Sequence, residues 1–195
     1  MKVAIIKYNA GNIQSVTFAL ERLGINPVIT DNSEEIAQAD KVIFPGVGEA
    51  SSAMKYLKNA KLDQVICSLK QPTLGICLGM QLMCKHSEEG NAECLGIFDS
   101  TVKLFNKENN LKVPQIGWNT IFNYRSELFK GIKEKEYMYF VHSYYVEKCQ
   151  ETIATTNYGI EYSSSIQKNN FYAVQFHPEK SSEAGQILLS NFLNI

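Results

Sequence analysis

The sequence has few of the features that identify metal-binding, secreted or membrane proteins. Its five cysteines, Cys67, Cys77, Cys84, Cys94 and Cys149, are odd in number and include no Cys-x-x-Cys pair. This scatter argues against a zinc site and indicates reduced thiols. The N-terminal apolar stretch is too short for a signal sequence or a membrane span. We therefore expect a cytoplasmic protein without a metal or another cofactor.

An excess of charge of one sign is also lacking. The 195 residues include 19 Lys and Arg against 20 Asp and Glu, which gives a formal net charge of −1. This balance gives no reason to expect nucleic acid or a membrane surface as a partner. A chain of this length can bury a continuous core, and no linker or internal repeat divides it. We therefore predict one domain over residues 1–195.

The hydrophobic pattern changes along the chain. In the first half it predicts strands at residues 3–8, 28–30, 42–44 and 73–77, and helices at 13–23, from 32 or 33, and at 50–57, 62–69 and 80–86. Such alternation predicts a parallel sheet with helices on both faces. The second half predicts strands at 101–105, 137–146, 152–156, 160–165 and 171–175, and a last helix at about 183–192. These later strands indicate an antiparallel extension of the same sheet.

A candidate nucleophile lies in the segment 75–81, which reads Gly-Ile-Cys-Leu-Gly-Met-Gln. We interpret it as a sharp strand-to-helix turn in which Gly75 and Gly79 leave room and Cys77 is presented. The start of the helix would stabilise a thiolate, and the Leu78 amide would be placed to donate to an oxyanion. By itself the string fits a buried core cysteine equally well.

A base and an acid follow in the segment 175–179, which reads Gln-Phe-His-Pro-Glu. In an extended segment, residues two apart point the same way, so Glu179 is expected to reach one imidazole nitrogen of His177. Pro178 favours that extended backbone for the residue before it. The other nitrogen would then face Cys77. Taken alone, the string is also typical of a strand-end histidine beside a solvated acid.

A glycine-containing turn, Pro-Gly-Val-Gly at 45–48, follows the strand that precedes the one leading to Cys77. Gly46 and Gly48, on either side of Val47, allow a peptide unit to rotate so that an amide points into a site. A plain strand-to-helix turn has the same composition. Its place one βα unit before Cys77 favours a functional role.

Taken together, segments 75–81 and 175–179 resemble the nucleophile elbow and the histidine-glutamate pair of class I, or triad, glutamine amidotransferases. Further segments are similar to the glutaminase subunits of imidazole glycerol phosphate synthases. These are Tyr-Asn-Ala-Gly-Asn at 8–12, Phe-Pro-Gly-Val-Gly at 44–48, Val-Pro-Gln-Ile-Gly-Trp-Asn at 113–119, Phe-Val-His-Ser-Tyr-Tyr at 140–145 and His-Pro-Glu-Lys-Ser at 177–181. The resemblance covers essentially the whole chain. It implies a flavodoxin-like α/β fold, with a parallel core flanked by helices and an antiparallel extension.

The resemblance also implies a reaction. Cys77 would attack the side-chain amide of L-glutamine, giving a γ-glutamyl thioester and ammonia. His177 would protonate the leaving amine and then activate the hydrolytic water, with Glu179 orienting it.

Further positions acquire roles in the same way. Gln81 and the backbone near Ser143 and Tyr144 would hold glutamine. The peptide between Gly46 and Val47 would supply a second oxyanion donor.

A partner is implied as well. The resemblance implies a heterodimer with a separate (β/α)8 cyclase subunit, which receives the ammonia. That subunit would form imidazole glycerol phosphate and an aminoimidazole carboxamide ribotide for histidine and purine synthesis. Asn12, Trp118 and Lys180 are expected at the interface or the ammonia exit. Core packing of Trp118 and a solvated Lys180 are the alternatives.

Other functions stay open on the sequence alone. One is a paralogous glutaminase that supplies ammonia to a different synthase, for example in surface-sugar amidation. Another is a non-catalytic regulatory module of the same fold, which the intact Cys77, His177 and Glu179 disfavour. A cysteine peptidase is disfavoured further, because the acid lies only two residues from the histidine.

Overall fold

The computed structural model describes residues 1–8, 11–106 and 111–195. Asn9 and Ala10 of the 8–12 segment lie outside the described residues. In the described part the strands are β1 (Val3–Ile6), β2 (Val28–Thr30), β3 (Lys41–Phe44), β4 (Thr73–Ile76), β5 (Cys84–Ser87), β6 (Ala92–Glu93), β7 (Phe98–Leu104), β8 (Gln115–Thr120), β9 (Tyr137–His142), β10 (Tyr144–Val146), β11 (Thr152–Asn157), β12 (Glu161–Lys168) and β13 (Phe171–Val174). The helices are α1 (Ile13–Arg22), α2 (Ser33–Ala37), α3 (Ala50–Asn59), α4 (Leu62–Ser68), α5 (Leu78–Met83) and α6 (Ser182–Asn194).

One large mixed sheet organises the chain. Its strand order is β2-β1-β3-β4-β13-β12-β10-β7-β5-β6, and β11 pairs with β12. The five strands from β2 to β13 run parallel to one another. From β12 onward the pairs are antiparallel except β5 with β7. This arrangement confirms the predicted α/β fold with an antiparallel extension.

The parallel strands are buried on both faces, as their continuous apolar sequences require. In β1, Val3 and Ile5 pack into the core on one face of the sheet, while Ala4 and Ile6 pack into the core on the other. Helices cover both cores. The amphipathic pattern is clear in α3, where the buried residues follow the helical period: Ala50, Ala53, Met54 and Leu57. None of the helices in the described ranges is long and apolar enough to cross a membrane.

The sheet order determines where the candidate site lies. Strands β3, β4 and β13 are adjacent and parallel, so their carboxyl ends meet at one edge. The turn at 45–48 follows β3, Cys77 follows β4, and the segment 175–179 follows β13. Residues distant in sequence are thereby brought together.

Two sequence-based predictions about elements are wrong. The predicted strand 137–146 is divided at Ser143, because β9 pairs with β8 in a separate two-stranded sheet while β10 joins the large one. Both parts contain Tyr and Val and are typical of strands, so periodicity does not reveal the change of sheet. The helix predicted at 80–86 ends at Met83, and the chain continues directly into β5.

Candidate active site

Cys77 occupies a strained turn between β4 and α5. Its backbone has φ 53° and ψ −108°, a conformation that residues with a side chain seldom adopt. The Cys77 amide donates to the Val174 carbonyl at 2.8 Å, which ties the turn to β13. A Cβ atom on Gly79 would lie 1.9 Å from the Phe44 carbonyl oxygen, so a glycine is required there. The predicted sharp strand-to-helix turn at Cys77 is therefore present.

The thiol is almost buried and has polar groups on two sides. Cys77 is 6% exposed, and its sulfur lies 3.8 Å from the Val141 carbonyl oxygen. The Gln175 side-chain amide nitrogen lies 3.7 Å from the same sulfur. The sequence assigned no role to Gln175, although it begins the Gln-Phe-His-Pro-Glu segment. Gln175 directly follows β13, and its side-chain amide donates toward the sulfur.

His177 and Glu179 form a buried pair. The Nδ1 atom of His177 donates to Oε1 of Glu179 at 2.7 Å, which is the contact predicted from their spacing. The local geometry differs from the prediction, because Pro178–Lys180 form a 3-10 turn rather than an extended segment. Proline suits the first position of such a turn, since its φ is already fixed. Asn12 also donates to Glu179 Oε1 and lies 3.2 Å from His177 Nδ1.

The electrostatics favour a protonated His177. Burial lowers its pKa, but the charge and acceptor character of Cys77 and the contact with Glu179 outweigh burial and raise it to about 10. Because Nδ1 is engaged by Glu179, the interaction with Cys77 falls to Nε2. That nitrogen has no hydrogen bond within the described part of the chain. Nε2 is therefore not occupied by another group, and it is the imidazole nitrogen left to exchange a proton with Cys77.

A pocket of about 300 Å³ opens above the thiol. It is lined by Val47, Gly48, Cys77, Leu78, Gln81, Glu89, Pro114, Val141, His142, Ser143 and Tyr144. The structure therefore brings together the residues predicted to hold glutamine. Glu89 was missed, because it belongs to a polar run that is typical of a solvated surface. Its Oε2 atom accepts the Ala50 amide at 2.8 Å, which fixes the half-buried carboxylate at the pocket wall.

Gln81 stabilises the wall of this pocket. Its side-chain nitrogen donates to the Tyr144 carbonyl at 2.9 Å and to Gln175 Oε1 at 3.0 Å. The same carbonyl lies 2.7 Å from His142 Nδ1. Burial lowers the pKa of His142 to about 4, so the ring is neutral and Nδ1 carries the donated proton. Gln81 and His142 therefore hold the Ser143 and Tyr144 backbone in place.

The turn at 45–48, which we call the oxyanion turn, differs from the expected arrangement. The Leu78 amide, predicted to be available for an oxyanion, donates to the Gly46 carbonyl at 3.2 Å. In a trans peptide the carbonyl and the N–H point in opposite directions. Since the Gly46 carbonyl points toward the thiol turn, the Val47 N–H points away from it. Neither of the two predicted donors is therefore free for an oxyanion in this arrangement.

The residues expected at an interface lie on one side of the pair. Trp118 is 53% exposed and packs edge-on against Tyr139, so core packing does not account for it. Exposed Lys180 lines a cleft together with Trp118 and Glu179. Asn12 is half-exposed and contacts Glu179 directly, which places it beside the His177–Glu179 pair. Within residues 1–8, 11–106 and 111–195, no three His, Cys, Asp or Glu side chains are grouped to hold a metal ion.

Comparisons with known proteins show the family of the chain. The family described as "Glutamine amidotransferase class-I" matches residues 4–195. The chain is 58% identical to "Imidazole glycerol phosphate synthase subunit HisH" of Bacteroides fragilis (strain YCH46) over 196 residues, covering 100% of both chains. It is 56% identical, with the same coverage, to the protein of that name from Bacteroides thetaiotaomicron. A solved structure described as a glutamine amidotransferase has a TM-score of 0.77 at 17% identity, covering 100% of this chain and 98% of the other, and supports the fold alone.

Proposed function

Because the chain belongs to the class I glutamine amidotransferase family, we propose that it is the glutaminase subunit of an imidazole glycerol phosphate synthase and that Cys77 is its nucleophile. It releases ammonia from glutamine for histidine biosynthesis. The observation that carries the assignment of the site is the strained Cys77 turn beside the buried His177–Glu179 pair, under a pocket large enough for an amino acid.

The reaction follows from the positions of these groups. The Cys77 thiolate adds to the side-chain carbonyl carbon of glutamine, and His177 passes its proton to the leaving nitrogen as the C–N bond breaks. Ammonia and a γ-glutamyl thioester result. His177 then takes a proton from water, the hydroxide adds to the thioester carbon, and the C–S bond breaks to give glutamate. Glu179 holds the imidazole and stabilises its charged form.

Glutamine binds with its side chain toward Cys77 and its α-carbon toward the opposite wall. Glu89 supplies a carboxylate for the α-ammonium group, and it is the acid among the residues that line the pocket. The backbone of Ser143 and Tyr144, which Gln81 and its neighbours hold in place, supports the amide group.

The turn at 45–48 accounts for dependence on a partner. With the Leu78 amide bonded to the Gly46 carbonyl, neither of the two backbone donors is available to an oxyanion, and one such donor is worth roughly 10²- to 10³-fold in rate. Rotation of the Gly46–Val47 peptide would release the Leu78 amide and turn the Val47 N–H inward. The cyclase subunit drives this rotation, so that glutamine is hydrolysed only when ammonia has an acceptor.

The partner is a (β/α)8 cyclase that forms a heterodimer with this chain. It covers the surface around Trp118 and Lys180, beside the catalytic pair. A covered exit is needed because ammonia released into water at neutral pH is protonated and lost. All five cysteines are free, which supports a cytoplasmic location for the complex.

Substitution of the nucleophile tests this proposal. We expect Cys77→Ala to abolish glutamate release in the presence of the cyclase and its ligand, because no other thiol lies in the pocket wall. Cys84→Ala is the matched control: this buried thiol lies at the other end of α5, and the variant should keep wild-type turnover. Release of glutamate is measured with and without the partner. Turnover retained by Cys77→Ala would show that Cys77 is not the nucleophile. A wild-type rate that is the same with and without the partner would refute the subunit assignment.

A further inference from the structure

The hydroxyl of Tyr8 lies directly against the oxyanion turn. It donates to the Pro45 carbonyl at 2.8 Å, and both groups are buried. A Cβ atom on Gly46 would lie 2.1 Å from the same hydroxyl oxygen, so the two residues are in close contact. The Tyr8 ring is held by Phe44, at a centroid distance of 5.2 Å. The hydroxyl therefore has a fixed position beneath the turn.

Two neighbouring carbonyls of the turn are thus anchored by different donors. The Pro45 carbonyl accepts from Tyr8, and the Gly46 carbonyl accepts from the Leu78 amide. The second bond must break before the Leu78 amide can serve an oxyanion. The first restrains the adjacent peptide, and with it the freedom of Gly46 to rotate.

The hydroxyl remains a donor at every pH at which the protein works. Burial, and secondly the charge of Cys77, raises the pKa of Tyr8 well above its ordinary value. A neutral hydroxyl has one proton to donate, and in this arrangement the Pro45 carbonyl receives it. The contact is therefore a constant restraint on the turn and does not depend on titration.

We propose that Tyr8 is a positioning residue that holds the turn at 45–48 in its resting arrangement and thereby sets the glutaminase activity of the chain before its partner binds. The proposal rests on the proposed function. Tyr8 acts through the backbone of the turn, and its removal should make the rotated peptide easier to reach.

Tyr8→Phe tests this role, because it removes the hydroxyl and keeps the ring against Phe44. A net hydrogen bond of 0.5–1.5 kcal/mol corresponds to roughly a 2- to 10-fold change, so we expect kcat without the cyclase to rise by that factor. The KM for glutamine and the cyclase-stimulated kcat should stay at their wild-type values. The activation ratio would then fall by the same factor.

Tyr124→Phe is the matched control. Its hydroxyl also donates to a backbone carbonyl, that of Lys133 at 2.8 Å, but this carbonyl does not belong to the turn at 45–48. Both of its rates should equal those of the wild type.

Hydrogen exchange of single amides provides a second readout. In Tyr8→Phe the Leu78 amide, which is bonded to the turn, should exchange faster. The Cys77 amide is bonded to Val174 in the sheet and should be unchanged. Faster exchange at Leu78 alone supports the proposal, whereas equal acceleration at both amides would indicate general loosening and overturn it.

The kinetic outcomes are equally decisive. A Tyr8→Phe variant with an unchanged unstimulated rate, or with both rates reduced by the same factor, would overturn the role of Tyr8. Wild-type protein in the same assay separates this failure from that of the proposed function. If the wild type is stimulated by the cyclase while Tyr8→Phe behaves like it, only the inference about Tyr8 fails.

Discussion

The two halves of the active site differ in how ready they are for reaction. The acid-base half is assembled: Cys77, His177 and Glu179 are buried, and the last two are joined at 2.7 Å. The oxyanion half is closed, because the Leu78 amide is occupied by the Gly46 carbonyl at 3.2 Å. In the proposed mechanism, activation therefore requires reorientation of one peptide unit, while Cys77 and His177 need no rearrangement.

The difference has a simple origin in the fold. Cys77 and His177 follow β4 and β13, which are hydrogen-bonded parallel neighbours near the middle of the large mixed sheet. The turn at 45–48 follows β3 but is held by two bonds from outside that strand, from Tyr8 and Leu78. A bond within the sheet is cooperative with its neighbours, whereas a single carbonyl contact in a turn is broken at a cost of about 1 kcal/mol. Control of activity at the turn leaves the rest of the site undisturbed.

Disruption of the assembled half should have the largest effect. Glu179→Gln keeps the shape of the side chain but removes the charge that orients His177, and the equivalent change in a serine protease triad costs about 10⁴ in kcat. We expect a loss of roughly 10²- to 10⁴-fold in the cyclase-stimulated kcat, within the range of general acid-base catalysis. Steady-state glutamate release measures it.

Glu34→Gln is the control for this change, because Glu34 is exposed in the first turn of α2 and is not among the residues that line the cleft with Trp118 or the pocket above the thiol. Its kcat should equal that of the wild type. A loss below about tenfold in Glu179→Gln would contradict the triad, since general acid-base catalysis contributes more than that.

Contacts between residues close together in the sequence could be predicted, and contacts between distant residues could not. The His177–Glu179 contact joins residues two positions apart and was predicted. The contact between Asn12 and Glu179 spans 167 positions and depends on how α1 packs, so no local pattern revealed it. Glu89 was missed for a related reason, since its exposure is decided by α3 packing against it through the Ala50 amide. The sequence therefore predicted the residues of the local motifs, but not the side chains that the packing of other helices brings to the site.

The orientation of the Gly46–Val47 peptide could not be predicted from the sequence either. Two glycines indicate that a peptide can rotate, but they favour neither orientation. The expected inward Val47 N–H and the observed Gly46 carbonyl contact with Leu78 share the same sequence. What decides between them is a pair of hydrogen bonds, one of them from Tyr8 at the end of a different strand.

A substitution on the surface expected to bind the partner should reduce activation through the turn at 45–48 and leave Cys77, His177 and Glu179 unaffected. We expect Trp118→Ala to raise the dissociation constant for the cyclase by roughly 30-fold, because an exposed aromatic that becomes buried on binding is typically worth about 2 kcal/mol. The unstimulated glutaminase rate should be unchanged, since the triad does not depend on the indole. Titration of the rate with cyclase measures the constant.

Ile160→Ala is the matched control for Trp118→Ala. Ile160 is also an exposed apolar residue, 47% accessible, but it lines a different pocket, with Leu104 and Phe105. Its dissociation constant should match that of the wild type. An unchanged constant in Trp118→Ala, or an equal change in both variants, would place the partner elsewhere.

The pH dependence of stability probes the coupling inside the assembled half. The pKa of His177 is raised from 6.5 to about 10 in the folded chain, so between those values the folded state holds a proton that the unfolded state has lost. The free energy of unfolding should therefore be highest below about pH 6.5 with respect to this group and fall as the pH rises toward 10. Cys77→Ala removes the thiolate that raises the pKa, so its unfolding free energy should fall less steeply over the same range.

Denaturant unfolding at a series of pH values measures both slopes, and NMR titration of the His177 ring gives the midpoints directly. His142, with a pKa of about 4, serves as the internal reference. Identical slopes and midpoints in the two proteins would show that Cys77 and His177 are not coupled, and the assembled half would then need activation as much as the turn does.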